Sequence, residues 1–112
     1  MKINKSLLSG STGMLILSIL KDRDQYGYEM IESLNRISEN VFEMKEGTLY
    51  PVLHSLEKAG YLRSYEQENE GGRRRKYYHV TEKGQRQLAE QKEEWRAFSG
   101  AVNAVLEMGC FA

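Results

Sequence analysis

The 112-residue sequence has one proline, one cysteine, two histidines and a formal net charge of zero. Each scarcity excludes something. A lone Cys110 cannot form an internal disulfide framework, which fits a reducing cytosol, and it reads as a passive tail thiol rather than a nucleophile. His54 and His79 with that one thiol fall short of a dedicated metal cluster, so no metal and no cofactor are expected. No glycine-rich phosphate loop and no nucleophile motif is present, so the expected class is not an enzyme and no residue is assigned a catalytic role. The densest apolar run, Met14 to Leu20, is interrupted by Ser18 and is too short for a bilayer. No cleavable signal peptide is recognised at the start, and a soluble cytoplasmic protein is expected. The length allows one domain with a modest core but no large cleft besides. A charged fraction of 29% with 10% aromatics argues against disorder. Zero net charge, at first sight, argues against a nucleic-acid partner.

The neutrality is a cancellation between blocks. Residues 22–46 carry seven acids against Arg23, Arg36 and Lys45, a balance of −4. Residues 73–86 carry Arg73, Arg74, Arg75, Lys76, Lys83 and Arg86 against Glu82 alone, a balance of +5. Phosphates respond to potential within a Debye length of about 8–10 Å, so a dense local stretch matters more than the total.

Residues 7–21 are apolar on all sides, as in a central helix buried by its neighbours. Asp22 to Gln25 read as a turn. From Tyr26 to about Ser38, Met30, Ile31, Leu34 and Ile37 recur at three- and four-residue spacing, which marks an amphipathic helix. Leu49, Val52, Leu53 and Leu56 mark a third, ending at Gly60, a residue suited to a left-handed C-terminal cap. Pro51 is tolerated in a first turn, so this helix is expected to start close to Gly47 or Thr48. Tyr61–Tyr65 and Tyr77–Val80 flank the turn Asn69-Glu70-Gly71-Gly72, and Thr81 is a good N-cap for a long last helix, although Gly84 stands where a capping-box Glu belongs. Three helices, a hairpin and a long helix predict a mainly α fold with a small β part: a winged helix-turn-helix over 1–80, with its wing at about 61–80. Residues 81–112 follow as a C-terminal dimerisation helix in the same compact unit.

Projected at 100° per residue, the third helix turns Gly47, Pro51, His54 and Lys58 away from its apolar side, flanked by Thr48, Tyr50 and Ser55. Hydrogen-bonding side chains of these types read base edges and phosphates in a major groove, whereas an ordinary solvated face more often shows Glu and Lys. After the glycine tip, Arg73-Arg74-Arg75-Lys76 alternate between the two faces of a strand, so either face carries at least two cations. Arginine holds phosphate bidentately or enters a narrow minor groove.

Three separated segments carry a resemblance: Tyr26-Gly27-Tyr28-Glu29-Met30-Ile31; Glu46-Gly47-Thr48-Leu49-Tyr50-Pro51-Val52-Leu53 with Leu56-Glu57-Lys58; and Gly71-Gly72-Arg73-Arg74-Arg75-Lys76-Tyr77-Tyr78 through Thr81-Glu82-Lys83-Gly84. In that order and spacing, over about residues 13–86, they closely resemble the PadR family of bacterial transcriptional regulators. The resemblance implies a dimeric winged-helix repressor of the type named for control of phenolic acid decarboxylation, with multidrug-responsive relatives. It places Thr48, Tyr50 and Pro51 on the recognition helix, Arg73 to Lys76 on the wing, and Tyr26 with Gly27 where a phosphate contact is expected. With Lys45 and His54 these form the expected DNA-binding set: Tyr26, Lys45, Thr48, Tyr50, Pro51, His54, Arg73, Arg74, Arg75 and Lys76. Tyr78 is expected to pack inward beside Val80.

In the last helix, Leu88, Trp95 and Val102, with Gln91, Phe98 and Val105, form an a/d seam of nearly three heptads, and Leu106 lies beside it. So narrow a seam wants a partner helix, and a second copy is the expected cover. The resulting dimer interface is Leu88, Trp95, Phe98, Val102, Val105 and Leu106, as in short members of the family with a single C-terminal helix. Trp95 is either a dimer-core anchor or, with Phe98, a stacking surface for a flat aromatic or phenolic effector. Ala97, Ser99, Gly100 and Ala101 would leave room for it. Expected partners are therefore a palindromic double-stranded operator, a second copy and such an effector, with no membrane. The rival reading is a winged-helix module that binds protein without specific DNA binding.

Overall fold

The computed structural model describes residues 3–108. In order, the elements are α1 Lys5–Ser9, α2 Thr12–Asp22, β1 Gln25–Tyr26, α3 Gly27–Ile37, α4 Glu46–Lys58, β2 Leu62–Glu68, β3 Arg74–Val80 and α5 Glu82–Glu107. Cys110 lies outside the described residues.

The first helical stretch is two helices, not one. Ser9-Gly10-Ser11 are weak helix formers, and the Thr12 hydroxyl donates to the Leu8 carbonyl at 3.0 Å, closing a bend at that point. Beyond the bend, α2 is the central helix, with Ile16, Leu17 and Leu20 at the heart of the core. Around it lie Met30 and Leu34 of α3, Leu49 and Leu53 of α4, Leu62 of β2, Tyr78 and Val80 of β3, and Leu88 of α5. Tyr78 packs inward beside Val80, as the strand alternation predicts.

Two further boundaries differ from the sequence reading. Gln25, read as turn, pairs with Tyr78, and Tyr26 with Tyr77, so a short strand joins the hairpin in an antiparallel sheet of order β1-β3-β2. The Gln25 amide is buried but satisfied: it accepts from the Ser33 hydroxyl at 3.0 Å and donates to the Ile19 carbonyl at 3.3 Å. Second, α4 begins at Glu46, which puts Pro51 at its sixth position rather than in the first turn. Having no N–H, Pro51 leaves the Gly47 carbonyl without its usual partner in the helix. Gly47 lies on the exposed side of α4, so this carbonyl is not forced into the core unpaired.

The α4 terminus and the α5 start are built together. Gly60 adopts φ +86°, and the Tyr61 and Gly60 amides donate back to Leu56 (2.9 Å) and Glu57 (3.0 Å), which completes a Schellman cap. The Thr81 hydroxyl accepts from the Gly84 amide at 3.0 Å and donates to the Gly60 carbonyl at 2.7 Å. A Cβ on Gly84 would run into the Tyr61 carbonyl, which explains why a capping-box glutamate is missing there. The 26-residue α5 then projects from the body and accounts for the 61 Å long axis.

Candidate nucleic-acid interface

Both ends of α4 are pinned. Its C-terminal turn is held by the Thr81 bond, by Lys83 Nζ on the Ala59 carbonyl (2.8 Å), and by Glu57, which accepts from the β2 hydroxyl of Ser64 at 2.5 Å. At the other end the Asn35 side chain clamps the loop into the helix, accepting from the Met44 amide at 2.6 Å and donating to the Met44 carbonyl at 3.3 Å. The same loop bends through three left-handed residues, Glu39, Asn40 and Glu43. Backbone strain of this kind persists only where the surroundings over-determine it; the Asn35 clamp and the buried Met44 side chain do so here.

With Leu49 and Leu53 buried, α4 turns Thr48, Pro51, His54, Ser55 and Lys58 to solvent, and Lys45 lies exposed at its N-cap. Tyr50 differs from these. It is half-exposed, but its hydroxyl stands directly over Gly27, where any Cβ would overlap it. The phenol therefore leans toward the start of α3 instead of standing out from α4 with His54. Burial above all, aided by Glu46 and Tyr78 and opposed by Arg75, pushes its pKa up, so Tyr50 stays a hydrogen-bond donor.

At the wing tip, the Gly72 amide donates to the Asn69 carbonyl (2.9 Å), the Asn69 amide to the Arg73 carbonyl (2.8 Å), and the Arg73 amide to Asn69 Oδ1 (2.9 Å). Gly72 takes φ +76°, which only glycine adopts cheaply. The register this turn imposes corrects the +5 block. Arg74 faces Glu68 and Lys76 faces Glu66, and Arg74 Nε also pairs with Glu66 at 3.1 Å, whereas Arg75 faces Gln67. The Glu66 carboxylate thus partly neutralises Arg74, while Lys76 Nζ lies 5.6 Å from the Tyr78 ring centroid. Exposed pairs of this kind are worth about 0–1 kcal/mol, so they release readily to a phosphate. Arg75 has no such partner; its guanidinium lies 5.2 Å from the Tyr26 ring centroid, and its Nε is shielded from water with no hydrogen-bond acceptor among the described residues.

Behind the wing, the outer face of the sheet holds a cluster that the sequence reading missed. Tyr26 meets Tyr77 edge-on at 5.4 Å, Tyr77 stacks on Tyr65 at 5.7 Å, and Asp24 accepts from the Tyr65 hydroxyl (2.6 Å) and faces His79 Nδ1 (2.9 Å). Burial pushes the Asp24 pKa up, but the hydrogen bonds from Tyr65 and His79, with the charges of His79 and Arg63, outweigh it and hold the carboxyl below its ordinary value. The bond to Asp24 is the main cause that pushes the Tyr65 phenol up to about 12. Forty-one residues separate Tyr65 from Asp24, and no local pattern signals the pair. Tyr28, also missed, stands exposed beside Gly27, and its hydrogen bond with Glu32 raises its pKa.

The C-terminal seam divides in two. Leu88, expected at the dimer interface, is 1% exposed and belongs to the protomer's own core, because α2 already covers the first turns of α5. Phe98, Val102, Val105 and Leu106 stay exposed, and Trp95 is half so. Trp95 and Phe98, with ring centroids 6.2 Å apart, wall an apolar cleft of about 690 Å³ whose other sides are Leu7, Leu8, Met14, Leu15 and Phe42. One protomer thus carries a cleft that its length seemed to preclude. It is shaped by α1 and α2, not by the small residues Ala97, Gly100 and Ala101. Gln91 is part of this wall, and its Oε1 is shielded from water without a hydrogen-bond partner among the described residues. No described helix is long and apolar enough to cross a membrane.

Residues 16–90 match the family model described as the transcriptional regulator PadR-like family. An uncharacterized protein of Lysinibacillus sphaericus is 30% identical over 105 residues, spanning 94% of this chain and 96% of that one. The transcriptional regulator YqjI of Escherichia coli is 31% identical over 95 residues, 85% of this chain but only 44% of YqjI. Among solved structures, a transcriptional regulator from Clostridium thermocellum superposes with a TM-score of 0.82 at 34% identity, covering 90% of this chain and 95% of its own. A PadR-like transcriptional regulator from Bacillus cereus gives 0.81 at 35%, covering 91% and 97%. The family consists of transcription regulators, not enzymes, and with a matching model over most of its length, a winged helix and a long C-terminal helix, this chain belongs to the PadR family.

Proposed function

We propose that the protein is a sequence-specific DNA-binding repressor that works as a twofold homodimer and is released by a small aromatic or phenolic effector. The observation that carries the DNA reading is the exposed Thr48, Pro51 and His54 face of a helix fixed at both ends, flanked by a cationic wing. A second copy is supported by the continuous exposed apolar surface of Phe98, Val102, Val105 and Leu106. Two recognition helices on a twofold axis would read half-sites one helical turn apart, about 34 Å or 10 bp. Selection of bound duplexes from a random pool, followed by footprinting, tests this. A palindrome with two protected half-sites is expected, and a single asymmetric half-site, or no enrichment, sinks it. No enrichment would leave the protein-binding module as the better reading.

The effector reading is supported by the Trp95 and Phe98 wall of the apolar cleft. A ligand that binds the free form better than the DNA-bound form shifts the population off the operator. Titration with planar aromatic cations and phenolic acids should quench Trp95, the only tryptophan, and release DNA in parallel. Unchanged emission across both panels counts against the effector.

A further inference from the structure

We propose that Phe42 is the positioning residue through which occupancy of the apolar cleft reaches α4: a guest beside Trp95 and Phe98 displaces Phe42 and, with it, the first turn of that helix. This rests on the effector reading above and states how that same site is coupled to DNA. The described cleft wall is drawn from α1, α2 and α5 and from the short stretches that precede or join the first two, with one exception. Phe42 comes instead from the loop that leads into α4. It is half-buried and stands three residues ahead of Lys45, the α4 N-cap.

The two pins on α4 are unequal. At its C-terminal end, three bonds tie Glu57, Ala59 and Gly60 to β2 and to the start of α5. At its N-terminal end the hold is one side chain, Asn35, on the backbone of Met44, two residues from Phe42. The Phe42 amide is tied to the Ser38 hydroxyl by a long bond of 3.3 Å. Around it Glu39, Asn40 and Glu43 take φ of +53°, +64° and +47°. Residues other than glycine adopt this region at a cost, so the loop is strained and a shift of Phe42 has strain to release. The Thr48 and Leu49 amides both donate to the Lys45 carbonyl, at 3.1 and 3.0 Å, so the first turn of α4 follows the loop. Fixed at one end and moved at the other, α4 tilts about its C-terminal turn. The residues displaced furthest are Lys45 and Thr48, at the end that meets base edges in helix-turn-helix proteins.

The test fills the cleft without a natural effector. In a full-length Cys110→Ser background, Leu7→Cys, at an exposed position on the cleft wall, is alkylated with monobromobimane. A nearby tryptophan quenches this label, so quenching reports a label seated beside Trp95. Affinity for a duplex selected by the wild type, and amide hydrogen exchange, are compared between labelled and unlabelled protein, with Phe42 present and as Phe42→Ala and Phe42→Leu. With Phe42 present, the label should lower affinity about 5–150-fold. It should also speed exchange at residues 44–49 while the Gly60 and Tyr61 amides keep their protection. In Phe42→Ala both effects should vanish with the label still quenched, and Phe42→Leu should keep part of each. An equal loss of affinity with and without Phe42, as dissociation of a dimer would give, overturns the coupling. So does a seated label that leaves exchange at 44–49 unchanged, and if no duplex is selected that exchange decides alone. Free aromatic cations and phenolic acids that leave Trp95 unquenched would sink the effector reading, whereas the labelled proteins still decide the role of Phe42. A label that is never quenched shows a cleft that takes no guest and overturns both.

Discussion

Helices α4 and α5 each leave one side uncovered, and the two sides have opposite chemistry. On α4 the apolar side is spent inside the protomer, and Thr48, Pro51, His54 and Lys58 remain outside. On the far half of α5 it is Phe98, Val102, Val105 and Leu106 that remain outside. A face whose donors and acceptors are already hydrated costs nothing to leave in water and suits a wet, charged partner such as DNA. An apolar face of several large side chains does cost, and a matching apolar face is the cover that removes it from water. In the proposed function the difference separates two jobs: contact with the operator at one end and pairing at the other.

The strongest consequence of this opposition lies on α5. Val102→Glu should convert the proposed dimer to a monomer in sedimentation. Because the second half-site then no longer adds its effective concentration, operator affinity should fall by about 10²–10⁴. If affinity survives in a monomer, the two faces are not coupled as argued. Leu88→Ala sharpens the contrast within the same heptad seam: it should cost the protomer about 2–5 kcal/mol in chemical denaturation, with association of the remaining folded protein intact. On α4, His54→Ala should leave stability and dimerisation unchanged while narrowing the gap between selected and random duplexes by about 1–3 kcal/mol. Equal loss on both duplexes would move His54 to the backbone contacts.

The smallest expected effect lies on the outer face of the wing sheet. Tyr65, held to Asp24, should stay protonated until about pH 12 in an ultraviolet titration while ordinary phenols ionise near 10. A raised folded-state value means that this bond stabilises the fold fully below about pH 10, with the contribution lost as the pH climbs through 12. The lowered carboxyl of Asp24 works in the opposite sense: its contribution is present above about pH 4 and is lost as the pH falls through the lowered value. Asp24→Asn should therefore bring Tyr65 back toward ordinary titration and flatten the acid side of the stability profile.

Several elements were legible because they are local. The 3.6-residue spacing of Met30, Leu34, Leu49 and Leu53 fixed two helices; Gly60 and Gly72 marked a cap and a turn that need positive φ; Thr81 marked the start of α5. The misplaced boundaries are those where tertiary contacts overrule local rules. Pro51 sits at the sixth position of α4, deeper than the first turn its chemistry prefers, in a helix whose preceding loop is held to α3 by the Asn35 bonds to Met44. Gln25 becomes a strand residue only because Tyr78 is there to pair with it.

Charge shows the same division. A polar face on the third predicted helix, four successive cations after a glycine turn and an apolar seam near the end are legible along the chain, since each is a property of neighbouring residues. Tertiary structure alone decided which of those cations keep their charge uncompensated and which seam residues stay free. The physical reason is pairing at a distance. Glu66 lies outside the basic block in sequence and reaches Arg74 only through the hairpin register, while α2 covers Leu88 and leaves Val102 bare.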